Sequence, residues 1–133
     1  MIEEKRALAK LPAPSGSFRS EPQFAVPAGQ VQLTYEYGGP GDWVRGGLVF
    51  TGACAYRHRG ESRCTPWHVE GVYDTLVEVV PSDWISELDA VFDEHQAGMP
   101  RRGLHHFMIY VDSAGSYEVA AAEWSWLPET LVE

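Results

Sequence analysis

Four residues of the kinds that bind zinc follow one another within 15 positions, in the pattern Cys54-x3-His58-x5-Cys64-x3-His68. Zinc is held by such side chains at about 2.0–2.3 Å, usually four to an ion. On an extended strand, however, Cys54 and His58 would be roughly 13 Å apart, at about 3.3 Å for each residue. A hairpin centred on Glu61 would instead set His58 opposite Cys64 and Cys54 opposite His68. Zinc therefore stays an alternative, and the default expectation is no cofactor.

The same cysteines could do other chemistry. A Cys–His pair, His58 with Cys64 or Cys54 with His68, could act as a nucleophile and its base. No predicted helix begins beside either thiol to lower its pKa. A Cys54–Cys64 disulfide is disfavoured in a reducing compartment. The simplest interpretation is a buried Cys54 with one or two histidines at the surface.

A second set of polar residues falls on two predicted strands, 104–111 and 116–126. His105 and His106 point to opposite faces of the first strand, because successive strand residues alternate. Glu118 on the second strand could pair with a histidine for acid–base work. With Tyr110 nearby and Trp124 as a wall, these residues predict a ligand cleft on the open sheet face. The alternative interpretation is that the alanines of 116–126 only allow a helix to pack closely.

A third group is basic and aromatic. Arginines 57, 59 and 63 surround a predicted turn at 59–62, and Tyr56 and Trp67 flank it. Such a tip can contact a nucleic-acid backbone and stack on bases. It can equally contact an acidic protein surface, including that of a second copy of the chain. The expected binding residues of the second and third groups are Tyr56, Arg59, Trp67, His106, Tyr110, Glu118 and Trp124.

The charge balance favours a protein partner over a nucleic acid. The chain has ten Lys+Arg against 19 Asp+Glu, a net charge of −9. Residues 1–68 hold eight basic and six acidic side chains, whereas residues 69–133 hold two basic and 13 acidic ones. The acidic half repels phosphate backbones and would attract a basic protein. No apolar run approaches the length of a membrane span, and no secretory signal is recognised, so we expect a cytoplasmic protein.

The elements that must position these groups are mostly strands. Alternation predicts strands at 31–37, about 46–58 and 70–80. A single amphipathic helix is predicted at about 82–97, with Ser82 as its N-cap, and residues 112–115 read as a hairpin turn. We expect a flexible N-terminal arm over 1–22 and a single α+β domain over 23–133. Its fold would be an antiparallel sheet of about five strands with the helix packed on one face.

Two stretches carry a resemblance to known proteins. They are AYRHRGESRCTPWHVEGVYDTLVEV, followed by SDWISEL, and LHHFMIYVDSAGSYEVAAAEWSWLPE. They resemble small bacterial proteins, and the closing strand–turn–strand pattern is similar to the end of immunity proteins, which neutralise toxins used between bacteria. The resemblance implies a role and assigns no site residue.

The leading hypothesis is therefore a non-enzymatic, cytoplasmic, protein-binding domain of the immunity kind. Acidic residues of 70–94 and 112–123 would occlude the basic active site of a toxin, with Trp67 or Trp124 as anchors. The alternatives are a ligand-binding protein or enzyme with a cleft on the open sheet face, and a zinc module. Assembly with a second copy is a further alternative.

Overall fold

The computed structural model describes residues 2–38 and 41–132, which form nine strands and one α-helix. Every strand pairing is antiparallel. The strands are β1 (Glu4–Lys10), β2 (Gln23–Ala25), β3 (Gln30–Gly38), β4 (Trp43–Thr51), β5 (Ala55–Arg59), β6 (Thr75–Val80), β7 (His105–Val111), β8 (Gly115–Ala121) and β9 (Glu123–Val132). Helix α1 spans Asp83–His95, and short 3-10 turns occur at Ser15–Ser17, Glu61–Arg63 and Pro66–His68. The α+β class is confirmed.

The strands form two sheets where the sequence predicts one. A five-stranded sheet has the order β1-β6-β7-β8-β5, and a four-stranded sheet has the order β2-β3-β4-β9. The main core lies between them. Val31, Leu33, Leu48 and Phe50 of the four-stranded sheet meet Phe107 and other residues of the five-stranded sheet. The alternation predicted for 31–37 is thus confirmed, because its buried residues line this core.

The extra sheet arises where two predicted strands bend. The predicted strand 46–58 is broken after Thr51, and the predicted strand 116–126 is broken at Ala122. The breaks are adjacent, since the Ala122 N–H donates to the Thr51 carbonyl at 3.1 Å. Gly52, at φ +67°, allows the turn there. The two predicted strands therefore contribute to both sheets: β4 pairs with β9 in the four-stranded sheet, and β5 pairs with β8 in the five-stranded sheet.

The N-terminal segment also differs from the flexible arm expected over 1–22. Residues Glu4–Lys10 form β1, which pairs with β6 at the edge of the five-stranded sheet. Leu8 and Leu11 pack against the main core, and Ser15 is buried, where its hydroxyl bonds Asp74. The free edge of β6 and the apolar core, both distant in sequence, order this segment.

The second face of the five-stranded sheet is covered in two parts. One part packs beneath the segment 61–73, in a small cluster around Val72, Met108 and Tyr110. Helix α1 covers another part. Its Ser82 N-cap is confirmed, since the hydroxyl accepts the Ile85 N–H at 3.1 Å. None of the helix residues is fully buried, so its apolar stripe is only partly covered.

Candidate functional site

Three polar side chains meet on the helix-covered face of the five-stranded sheet. Arg57 on β5 lies directly opposite Glu118 on β8, and Glu118 lies opposite Met108 on β7. Directly paired residues share a face, as does every second residue along a strand. His106, two residues before Met108, therefore projects beside Glu118. Helix α1 places Ser82 at the far side of the imidazole.

These side chains form a continuous hydrogen-bonded chain. The Arg57 guanidinium donates to both oxygens of Glu118, at 3.1 and 3.0 Å. His106 Nε2 lies 2.6 Å from Glu118 Oε1, and His106 Nδ1 lies 2.7 Å from Ser82 Oγ. An ionised carboxylate can only accept, so Nε2 carries a proton, and in the neutral imidazole Nδ1 accepts the Ser82 hydroxyl proton. We call Arg57, Glu118, His106 and Ser82 the relay.

The relay is anchored at its buried end. Glu118 and His106 expose only 5% and 4% of their surface. Burial by itself would raise the pKa of Glu118, but the hydrogen bonds from His106 and Arg57 and the charge of Arg57 outweigh it and lower that pKa to about 2. Glu118 is therefore a fixed anion at neutral pH, which holds the imidazole in one orientation.

A cleft of about 260 Å³ opens beside the relay. It is lined by His106, Glu118 and two indoles, Trp67 and Trp84. The Arg57 guanidinium lies over the Trp84 ring at 4.1 Å, and the Trp84 ring meets His106 edge-on, with centroids 5.0 Å apart. We call this opening the indole cleft. Its carboxylates, besides Glu118, come from Glu3, Asp83 and Glu87.

The predicted ligand residues are thus only partly brought together. His106, Glu118 and Trp67 line the indole cleft, as expected of a cleft on that face. Tyr110 does not, since its hydroxyl donates to Glu61 at 2.9 Å beneath the 61–73 segment. Trp124 lies in the other sheet and packs on the main core, because β9 leaves the sheet that holds Glu118.

The predicted basic tip is rearranged as well. Glu61–Arg63 is a 3-10 turn, and β5 pairs with β8, so no hairpin is centred on Glu61. Arg59 donates to the Arg63 carbonyl at 3.3 Å. Tyr56 remains 47% exposed and packs on Phe24, with ring centroids 4.9 Å apart. Arg57 turns away from the tip toward Glu118.

The four predicted zinc ligands occupy separate surroundings. His58 Nε2 faces the Ala114 carbonyl at 2.7 Å. His68 Nδ1 accepts the Thr65 N–H at 2.9 Å, and the Cys64 sulfur faces backbone carbonyls at 3.5 Å. Cys54 is exposed rather than buried, and both thiols are free. Within residues 2–38 and 41–132, no group of three or more His, Cys, Asp or Glu side chains is placed to hold a metal ion.

A second concavity runs along α1. It has a volume of about 560 Å³ and lies between the helix and residues 100–104. Cys54 lies at this groove, where partial removal from solvent raises the pKa of its thiol. We call this concavity the α1 groove and define it by its apolar residues, Trp84, Leu88, Val91, Phe92, Pro100 and Leu104.

The α1 groove is lined by two acids of the helix, Glu87 and Asp89, and by Arg101 and Arg102 on its other side. Asp83, Glu87 and Glu94 are exposed and follow one another at helical spacing, with Val91 between them, 52% exposed. Arg101 on the opposite side is already bound to two other acids of the helix, Asp89 at 3.1 Å and Asp93 at 3.5 Å. In the described ranges, no basic side chain forms an ion pair with the three exposed acids.

Comparison with known proteins gives no relative for these sites. A scan against protein-family models, a search of curated proteins and a search of solved structures each found no match. Within the described part of the chain, no helix is both long and apolar enough to cross a membrane.

Sequence reasoning missed two members of the relay. Ser82 is recognisable only as a helix cap, and Arg57 only as part of a basic turn. The alternation of residues in β5 and β8 does predict which face of its own strand Arg57 and Glu118 each occupy. Their pairing depends on a register that no local pattern fixes.

Proposed function

We propose that this chain is a protein-binding domain and that the α1 groove docks a basic, amphipathic segment of its partner. The observation that carries the proposal is the combination of an open apolar groove with exposed carboxylates on the helix that forms one side of it. Its volume of about 560 Å³ is within the usual range for binding pockets. Several apolar side chains of one segment could therefore be buried there.

The charges select the partner's chemistry. Asp83, Glu87 and Glu94 add to an acidic half that holds 13 acids and two arginines. Two arginines line the groove, of which Arg101 is neutralised by Asp89 and Asp93, so the three exposed acids outnumber the remaining cation, Arg102. A segment with lysines or arginines flanking its apolar residues would meet opposite charge on approach and in the complex.

This surface is narrower than the one proposed from the sequence. Glu118 is buried and bound to Arg57, so it contributes no charge to a partner. Asp112 accepts a hydrogen bond from Tyr73 at 2.8 Å. Trp67 keeps 38% of its surface exposed and can still act as an anchor at the neighbouring indole cleft. A cytoplasmic immunity protein that covers a basic toxin site would use such a surface, and occlusion remains the mechanism we propose.

The test uses a defined probe and a charge-matched control. The probe is a fluorescent peptide with leucines at helical spacing and lysines elsewhere, and its counterpart has glutamates in place of the lysines. We expect only the lysine peptide to bind, and binding to weaken as salt is raised. The double variant Glu87→Lys/Glu94→Lys should lose at least about tenfold in affinity, roughly 1.4 kcal/mol.

The control variant Glu70→Lys/Glu123→Lys has the same net charge, with both substitutions at exposed sites outside the α1 groove. It should bind nearly as the unchanged protein does. Equal losses of affinity in the two double variants would show that net charge alone causes the loss, and would refute docking of the peptide in the α1 groove. If sedimentation shows a dimer that Val91→Asp dissociates, the groove is an interface between copies and the proposed partner is wrong.

The ligand-binding or enzymatic alternative is favoured by a separate observation, since His106 and Glu118, although almost fully buried, both line the indole cleft.

A further inference from the structure

We infer that Ser82, His106 and Glu118 form a nucleophile, a base and an orienting carboxylate that hydrolyse a small carboxylic ester in the indole cleft. This activity does not rest on the proposed protein-binding function, although the indole cleft and the α1 groove share Trp84 and Glu87. It rests on the order and spacing of three side chains contributed by three separate elements.

The spacing is that of an activated serine. Ser82 Oγ is 2.7 Å from His106 Nδ1, and His106 Nε2 is 2.6 Å from Glu118. Both distances are in the range in which a base activates a hydroxyl and a third group orients the base. The order is that of the serine–histidine–carboxylate triad, which is recognised by geometry rather than by sequence position. Here Nδ1, rather than Nε2, faces the serine.

The two ends of the relay differ in exposure. Glu118 and His106 are buried, and the Arg57 fork fixes the carboxylate. Ser82 at the other end is partly exposed, and the next two residues, Asp83 and Trp84, line the indole cleft. Ser82 adjoins the indole cleft without being one of its lining residues, and a substrate in the cleft would reach its hydroxyl from the side of Asp83 and Trp84.

The start of α1 can stabilise the charge that develops on the substrate. An α-helix leaves its first N–H groups without intrahelical acceptors, and its N-terminus carries partial positive charge. Glu3 accepts the Asp83 N–H at 2.9 Å, and Ser82 itself accepts that of Ile85. Among the first-turn N–H groups, that of Trp84, at the second position of α1, has no acceptor among the described hydrogen bonds, and we assign it to an oxyanion formed at Ser82.

The chemistry balances within these groups. Ser82 Oγ attacks the ester carbonyl carbon while its proton passes to His106 Nδ1. The bond to the alcohol oxygen then breaks, and His106 returns that proton to the leaving alcohol. Water, deprotonated by His106, then attacks the acyl carbon. The bond from that carbon to Ser82 Oγ breaks and His106 returns the proton to Oγ, so the sum is ester plus water giving acid plus alcohol. The hydroxyl oxygen has a lone pair for the attack, because the Ile85 N–H occupies only one.

The cleft sets the substrate class. Two indoles suit a flat, apolar alcohol or acyl group. Glu3, Asp83 and Glu87 disfavour an anionic ester. The volume of about 260 Å³ limits the substrate to a small molecule. A neutral or cationic aryl ester is therefore the expected substrate.

The test combines a turnover assay with a covalent label. The probes are p-nitrophenyl acetate, and a fluorophosphonate whose adduct is located by peptide mass spectrometry. The unchanged protein should be labelled at Ser82 and should release p-nitrophenol faster than the Ser82→Asn and His106→Gln variants. His106→Gln should lower the rate at least a hundredfold, the usual effect of losing a general base.

Ser82→Asn is the decisive variant, because asparagine is as good an N-cap as serine and should preserve the helix. It should lose the label and the turnover while its thermal unfolding stays near that of the unchanged protein. Ser86→Ala, at an exposed serine on the same helix, is the matched control and should change neither. Absence of an adduct on Ser82, or turnover that Ser82→Asn retains, overturns the inference and leaves peptide docking in the α1 groove unaffected.

Discussion

Replacing Glu118 by glutamine should remove a defined, pH-dependent part of the stability of this domain. The carboxylate has an ordinary pKa of 4.5, which is lowered to about 2 in the folded protein. Burial opposes this lowering, and the hydrogen bonds from His106 and Arg57 outweigh it. At about 1.4 kcal/mol for each pKa unit, ionised Glu118 contributes on the order of 3 kcal/mol to the free energy of unfolding.

The sign of the pH dependence follows from the lowered pKa. The contribution is fully present above pH 4.5 and is lost as the pH falls toward 2, where the folded protein also takes up the proton. Glu118→Gln lacks this titration. The unchanged protein should therefore exceed the variant by about 3 kcal/mol at pH 7, and the difference should shrink progressively below pH 4.5.

The assay is urea unfolding followed by tryptophan fluorescence at a series of pH values from 7 to about 2.5. Taking the difference between the two proteins cancels the carboxylates that they share. Glu94→Gln, at an exposed helix position, is the control and should run parallel to the unchanged protein. A difference that stays constant down to the lowest pH would refute the reasoning, since the stability would then come from packing and not from the charge.

Three further predictions concern the fold. Gly115→Ala should destabilise the domain by more than about 3 kcal/mol, because φ there is +109° and an added Cβ would lie 2.0 Å from the Arg59 carbonyl oxygen. The control Gly60→Ala, at a position with open space around it, should leave the melting temperature nearly unchanged. In an alkaline absorbance titration, four tyrosines should ionise near pH 12 rather than near 10. Hydrogen bonds to carboxylates raise the pKa of Tyr37, bonded to Glu129, and of Tyr73, bonded to Asp112. Burial raises the pKa of Tyr110 and Tyr117. Stability from these neutral phenols should be present below pH 10 and lost toward pH 12, and ionisation of all four near pH 10 would contradict their surroundings. Removing residues 2–11 should lower the free energy of unfolding by about 2–4 kcal/mol, because Leu8 and Leu11 leave the core. It should also promote association through the uncovered edge of β6. Urea unfolding that does not change would show that this segment is a flexible arm.

Some elements can be predicted from a short stretch of sequence alone. The helix from Asp83 to His95 has a cap, an acidic first turn and an apolar stripe, and all three can be recognised from neighbouring residues. The alternation in 31–37 likewise fixes which side chains face the core. The turn at 112–115 and the opposite orientations of His105 and His106 follow from the same short-range rules, and the structure has both.

The second sheet depended on contacts that no short window contains. The residues on either side of Gly52 read as one strand, and so do those around Ala122. Only their side-by-side pairing turns both breaks into a shared bend between the sheets. The strand β1 is a similar case, since its partner β6 lies about 70 residues away in the sequence.

The relay likewise combines features that local sequence predicts with contacts that only the tertiary structure creates. The sequence by itself determined that Ser82 caps a helix, that His106 and His105 point oppositely, and that Glu118 lies on a strand. Tertiary structure decided that Ser82, His106, Glu118 and Arg57 touch, because strand register and the seating of α1 are set by core packing over the whole chain. Hydrogen bonds between these groups require placement to within a fraction of an ångström, which the pattern of residue types does not specify.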